Sequence, residues 1–331
     1  MSCTVTSIVD RRALPSLLII DIDGSMGGRT LTIADVNGLY THTVTFPQGE
    51  STLSVLIECL GQWTVTYTNA SQISMVRRVD VVSAGGTPVT TSAAKIVTWA
   101  SGTDSEIAQM VAAADAGIIN LADYWNVGDE RQVALSAMTA TGVGESHAAQ
   151  TAVFTLMNSG GKTLSAPTAS GRTTCSFVVG LKDCLKEKGY MNSSSSNVGG
   201  WTSCRRRTWC NSVFKKSLPQ NLLPIFKQFE NKTSAGDQST TINTDVDWFA
   251  LPSEIEVFGS TPNSAPGEGT QFTWYETGAN LIKKVNGSAY EWWERSPWIN
   301  SSMYFCRVDR DSSAVYDSAS NYLGLAPFGC I

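Results

Sequence analysis

The chain is poor in the residues from which most active sites are built. It has only two histidines, His42 and His147, in 331 residues. They lie in different parts of the chain, so neither a histidine metal site nor an acid–base pair is expected. Charged residues make up 16% of the sequence and the net charge is -5, which excludes the basic face of a nucleic-acid binder. The one basic run, Arg205-Arg206-Arg207, is short and reads as a solvated or partly packed helix face. No run of about 18 apolar residues is present to span a bilayer. The first residues, MSCTVTSIVDRRALPSLLIID, lack the basic, apolar and small-residue regions of a Sec-type export signal. A protein made in the cytosol is expected, either retained there or carried out on an assembled particle. The eight cysteines (3, 59, 175, 184, 204, 210, 306 and 330) include no C-x-x-C pair, so zinc is unsupported and buried free thiols are expected. No internal repeat of 20–50 residues is evident.

Three short segments look catalytic and lack the context that would make them so. Asp21-Ile22-Asp23-Gly24 follows an apolar run and resembles the nucleophile strand of haloacid-dehalogenase phosphatases. That family needs alternating strands and helices next, whereas the following seventy residues read as strand only. Gly160-Gly161-Lys162-Thr163 resembles the end of a P-loop, but Leu156 stands where the phosphate cradle requires its first glycine. Ser146-His147 has no G-x-S-x-G elbow, and a catalytic triad is assembled in space rather than from chain neighbours. No catalytic residue, cofactor or metal is therefore expected.

What the chain does have is glycine (28), hydroxyl and amide side chains, and ten tryptophans concentrated after residue 200. Exposing tryptophan is costly, so such a cluster is either core or binding surface. Residues 1–92 read as β. Runs at 17–20, 30–34, 42–46, 52–58 and 63–69 are rich in Val, Ile, Thr and Leu, with Asp-Gly, Asn-Gly and Gln-Gly turns at intervals of roughly 8–12 residues. This pattern predicts a small immunoglobulin-like sandwich. Ser83-Ala84-Gly85-Gly86-Thr87-Pro88 and Thr90-Thr91-Ser92 read as a linker. A helix follows: Thr103 and Glu106 form a capping box, Ile107, Met110, Val111 and Ala114 share one face, and Gly117 ends it. A second helix is expected from Ser203 to about Lys216, with Cys210, Val213 and Phe214 inward.

From about residue 120 the chain carries an ordered frame. Tyr124-Trp125-Asn126-Val127-Gly128-Asp129 is followed by Gly199-Gly200-Trp201-x-Ser203, then by Arg207-x-Trp209-x-Asn211 and Phe214. Phe249-Ala250-Leu251-Pro252-Ser253-Glu254-Ile255-Glu256 and Phe258-Gly259 come next. The frame closes with Trp292-Trp293-Glu294-Arg295-Ser296-Pro297, Phe305-Cys306-x-Val308 and Gly324-Leu325-Ala326-Pro327-Phe328. This resembles the bacterial and phage domains of C-type-lectin fold that include the variable proteins diversified by retroelements, among them major tropism determinants, and the formylglycine-generating enzymes. The resemblance covers roughly two thirds of the chain. It implies an α+β C-type-lectin-like domain over 93–331, preceded by the all-β immunoglobulin-like sandwich as a mounting or oligomerisation domain. It also implies a phage or prophage tail-associated receptor-binding protein, located in the virion or at the extracellular surface. Arg295 beside two tryptophans can stack on a ring or fork to carbonyls or a carboxylate, and Pro297 and Pro327 would fix the ends of the segment between them.

Between those fixed points runs a segment, about 298–322, that the resemblance implies is free to vary. In related proteins, retroelement mutagenesis targets adenines in such a C-terminal region. The expected ligand-binding residues are Trp298, Ile299, Asn300, Ser302, Tyr304, Arg307, Asp309, Arg310, Asp311, Ser313, Tyr316, Asp317, Ser320 and Tyr322. Tyrosine and tryptophan give large contact area at small entropy cost, while serine and asparagine give adaptable hydrogen bonds. The expected partners are a protein or glycan on a target cell, other virion subunits, and further copies of the chain, with no nucleic acid and no membrane insertion. A fixed-specificity glycan-binding bacterial adhesin is the principal alternative. An oxidase of the formylglycine-generating type would need Cys306 and Cys330 side by side, and neither matches that enzyme's motif.

Overall fold

The computed structural model describes residues 3–8, 16–22, 30–35, 41–45, 52–57, 61–68, 74–81, 94–117, 119–140 and 142–331. Side chains are described throughout from 97 onward and, before that, at 30–34, 41–45, 64 and 66. The predicted 83–92 linker and the Asp23-Gly24, Asn37-Gly38 and Gln48-Gly49 turns lie outside the described residues. The chain divides into two compact units, one of residues 1–98 and 109–120, the other of 99–108 and 121–331. The whole is mostly strand with few helices. No helix among the described residues is long and apolar enough to cross a membrane.

The described residues of the first unit form eight strands in two antiparallel sheets. One has the order β1 (Cys3–Ile8), β2 (Ser16–Ile22), β5 (Thr52–Ile57). The other has the order β4 (Thr41–Thr45), β3 (Thr30–Asp35), β6 (Gly61–Thr68), β7 (Ser74–Val81), β8 (Ala94–Ile96). In β3 the alternation of threonine with aliphatics sets the face: Thr30 and Thr32 are exposed, Leu31 and Ile33 buried. Strands β1, β7 and β8 were not among the runs read from the sequence. In β7, Arg77-Arg78 interrupts the apolar alternation that marks a strand.

Helix α1 (Asp104–Asp115) begins as its capping box requires. Glu106 accepts the Thr103 amide at 2.8 Å, and Thr103 Oγ1 accepts the Glu106 amide at 3.3 Å. Its predicted apolar face is buried, and Gly117 closes it at φ 73°.

The second unit is organised on a five-stranded antiparallel sheet ordered β14 (Phe249–Ala250), β20 (Phe328–Cys330), β11 (Phe177–Leu181), β10 (Gln150–Ser159), β9 (Glu130–Leu135). The last strand of the chain thus lies inside the sheet, and every residue of β11 and β20 is buried. The second predicted helix forms as α2 (Arg205–Trp209), a π segment (Cys210–Phe214) and α3 (Lys215–Ser217). The widened turn has a visible cause. Asn211 Nδ2 donates to the Arg207 carbonyl at 3.0 Å and to Asp247 Oδ1 and the Phe249 carbonyl at 3.1 Å, competing with the regular backbone ladder at this turn. Around the sheet lie the hairpin β12 (Phe229–Ser234) with β13 (Ile242–Asp247), helix α4 (Glu254–Phe258), and the small pair β15 (Lys284–Val285) with β16 (Ser288–Ala289). A separate three-stranded sheet, β17 (Trp292–Pro297), β18 (Tyr304–Val308), β19 (Ala314–Ser318), carries the predicted variable segment.

Candidate functional site

The 292–328 stretch separates by burial. All six residues of β17 and all of 323–328 are buried. By contrast, none of the fourteen expected binding residues is buried. Met303, Tyr316 and Tyr322 are among the large apolar side chains left exposed, as is Val198 from a distant loop. Single exposed apolar side chains are ordinary; a group of them on one segment is what marks a contact surface.

The framing residues form a buried ionic lattice. The Arg295 guanidinium is completely buried and forks onto the Glu256 carboxylate, to which Lys162 Nζ also donates. Its Nη1 also reaches the Leu251 carbonyl, and its Nη2 those of Lys232 and Glu268, at 2.8–3.0 Å. The Arg295 and Lys162 cations hold the Glu256 carboxyl below its usual range against the opposing effect of burial. Of the two roles open to Arg295, the fork is thus what the structure records. The Trp292 ring faces Lys283, whose ammonium lies 5.1 Å from it and donates to Leu181 and Lys182 carbonyls. Burial lowers the Lys283 ammonium to about 8. Lys162 is consumed by Glu256 and Asn231, so the P-loop-like segment has no lysine to offer a phosphate. Two arginines of the 205–207 run are consumed in the same way, Arg206 by Glu145 and Arg207 by Asp245 and Asp247, while Arg205 donates to the Gly142 carbonyl.

The fourteen residues do not form one patch. In the β18–β19 ladder Tyr304 faces Ser318 and Cys306 faces Tyr316, so these four share one side; Phe305, Arg307, Val315 and Asp317 share the other. On the first side Trp298 stacks on Tyr316 with ring centroids 3.7 Å apart and planes 12° apart. Tyr304 meets both rings, at 5.5 and 5.7 Å. Beside this aromatic trio Ser318 and Ser320 join Ser195 in a hydroxyl triangle with edges of 2.6, 3.0 and 3.1 Å. On the other side Arg307 lies 3.1 Å from Asp309 and 3.4 Å from Asp317, an arrangement that ties the hairpin together. Arg310 pairs with Glu291 at the exposed turn, where Asp311 accepts from Ser313. Tyr322 packs edge-on against Tyr190. Asn300 is exposed, Ser302 half-buried, and the Ile299 amide is fixed by Asn263.

Residues 192–198 belong to this site, and sequence reasoning passed over them. Asn197 is fully buried. Its Nδ2 donates at 2.7 Å to the Ser301 and Tyr304 carbonyls, and its Oδ1 accepts the Asp237 amide at 2.9 Å. One side chain, two residues along from Ser195, thereby pins the Trp298–Tyr304 turn; Ser195 itself meets Ser318 and Ser320. The available signal was the Ser193–Ser196 run ending in asparagine, an ordinary loop signature.

The other functional candidates resolve differently. His147 is buried against Trp209, with Glu187 Oε2 3.3 Å from Nδ1, and burial lowers it to about 4. Six cysteines are free thiols: Cys184 is half-buried and Cys175, Cys204, Cys210, Cys306 and Cys330 are buried. The side chains of Cys3 and Cys59 lie outside the described residues. Cys330 neighbours Cys175, whereas Cys306 lies with Glu254 and Glu294.

Residues 178–331, just under half of the chain, are similar to the family described as a domain of unknown function, DUF6273. No curated protein and no solved structure matches the chain.

Proposed function

We propose that the chain is a non-enzymatic receptor-binding protein of C-type-lectin-like fold whose 298–322 segment presents a diversifiable contact surface. The observation that carries this reading is the partition between 292 and 328, in which framing residues are wholly buried and every expected contact residue keeps exposed surface. Such an arrangement lets side chains change at the surface without cost to the core. The contact centre is the Trp298–Tyr304–Tyr316 trio with the Ser195–Ser318–Ser320 hydroxyls at its side. Stacked rings supply rigid apolar area, and the hydroxyls supply orientation. The ligand is a protein or glycan on a target cell, and the setting is a phage or prophage tail. The N-terminal unit mounts or oligomerises the protein, so that many small sites act together.

The test is binding of labelled full-length protein to a panel of bacterial cells and immobilised glycans. We expect adhesion to be lost in Trp298→Ser/Tyr316→Ser with the melting temperature retained. Undiminished adhesion by that variant would overturn the assignment. Adhesion abolished by calcium chelation would instead favour a conventional glycan-binding lectin.

A further inference from the structure

Where β17, β18 and α4 meet, the structure places three buried side chains whose chemistry does not balance. Glu254 comes from the first turn of α4, Glu294 from the middle of β17 and Cys306 from β18. One ligating atom of each lies within 4.8 Å of the others, and all three residues are fully buried. Glu254 is stabilised: Asn263 and Ser264 donate to it from both backbone and side chain at 2.7–3.2 Å. Glu294 is not. Neither of its oxygens has a hydrogen-bond partner; burial above all, then Glu254, Glu268 and Glu256, disfavour its charge, with Arg295 opposing them. A buried carboxylate with no partner is among the costliest features a fold can carry.

The geometry points to a divalent-cation site, and we infer that Glu254, Glu294 and Cys306 hold a structural zinc-class ion. The protein supplies three donors, one oxygen each of Glu254 and Glu294 and the Cys306 sulfur, with the second Glu294 oxygen available as a longer fourth contact. Bonds of about 2.0–2.3 Å place tetrahedral ligand atoms roughly 3.3–3.8 Å apart, so the cluster contracts slightly around the ion. Thiolate with carboxylates suits zinc rather than calcium or magnesium, which take oxygen alone. The cation supplies the charge that the two carboxylates lack and displaces the thiol proton. Because the site is closed to solvent, loading accompanies folding. Glu254 also holds Asn263, whose carbonyl fixes the Ile299 amide, so the ion would stiffen the base of the 298–304 turn. This inference stands apart from the binding function, since it concerns the scaffold and not the ligand.

The test is to unfold the full chain in chelator, refold it with zinc or with chelator, and measure bound metal by mass spectrometry. Refolding with cobalt adds a direct readout of sulfur ligation. We expect one zinc per chain, a melting temperature higher with zinc than with chelator, and a thiolate-to-cobalt charge-transfer band that Cys306→Ser abolishes. Glu294→Gln should lower bound zinc to background while remaining foldable. The opposite result is equally readable. A wild-type chain that binds no zinc, together with a Glu294→Leu variant that melts higher than wild type, would show Glu294 to be a buried neutral acid and overturn the site.

Discussion

Replacing Asn197 by alanine tests how the candidate surface is held. The amide side chain makes three hydrogen bonds of 2.7–2.9 Å, two to carbonyls of the 298–304 turn and one from the Asp237 amide. Each contributes about 1 kcal/mol net, and stranding a buried partner adds a further penalty, so a loss of roughly 3–4 kcal/mol is expected. Nine of the ten tryptophans lie in the C-terminal unit, Trp63 being the exception, so urea unfolding followed by tryptophan fluorescence reports on that unit. Amide exchange adds the local readout. The Trp298 and Asn197 amides, bonded to the Tyr304 and Ser302 carbonyls, should lose protection before the β10–β11 core does. Asn197→Asp keeps the shape and the Oδ1 acceptor but turns an oxygen toward two carbonyls, and it should be at least as damaging. A cost under about 1 kcal/mol with unchanged exchange at 298–304 would refute the reasoning, since the hydrogen-bond accounting then fails at the best-satisfied side chain of the site.

Two other perturbations follow from the buried groups. Arg295→Lys keeps the charge but cannot fork to Glu256 while reaching three carbonyls. It should cost about 3–5 kcal/mol, or on the order of 10 °C in melting temperature, with a drop under roughly 3 °C counting against the lattice as described. Burial holds His147 at about 4, against its usual 6.5, although Glu187 and Glu145 favour its protonation. The unfolded chain therefore binds this proton first. Stability that is full above about pH 6.5 falls as pH drops toward 4, by at most about 3 kcal/mol. His147→Gln should flatten that part of a stability-versus-pH curve, and an unchanged slope would contradict the burial argument.

The elements that sequence exposes here are those with local rules. The α1 capping box, the α2–α3 apolar face and the short threonine-rich strands are each written within a few consecutive residues. The closing frame was legible for the same reason, because Trp292, Trp293, Arg295 and Pro297 are residue types that a surface segment rarely concentrates. Hidden were the features made across long separations. Asn197 meets Tyr304 over 107 residues, and Glu294 meets Glu254 only once β17 packs beside α4. Glu294 sits between Trp293 and Arg295 in a run with no apolar alternation and, read locally, could as well face solvent. Sorting the fourteen expected contacts onto two sides of a hairpin likewise needed the β18–β19 register, which a one-residue slip would reverse.

The most direct test of the central claim lies in the DNA beside the gene and in independent isolates of it. If the 298–322 surface is diversified, a near-copy of the codons for 290–331 flanks the gene beside a reverse transcriptase, differing mainly at adenines. Isolates should then differ at exposed positions such as Asn300, Tyr316 and Tyr322, while Trp292, Trp293, Arg295 and 325–328 stay fixed. No flanking copy, together with isolates identical across 298–322 or varying as freely at the buried frame, would contradict the account.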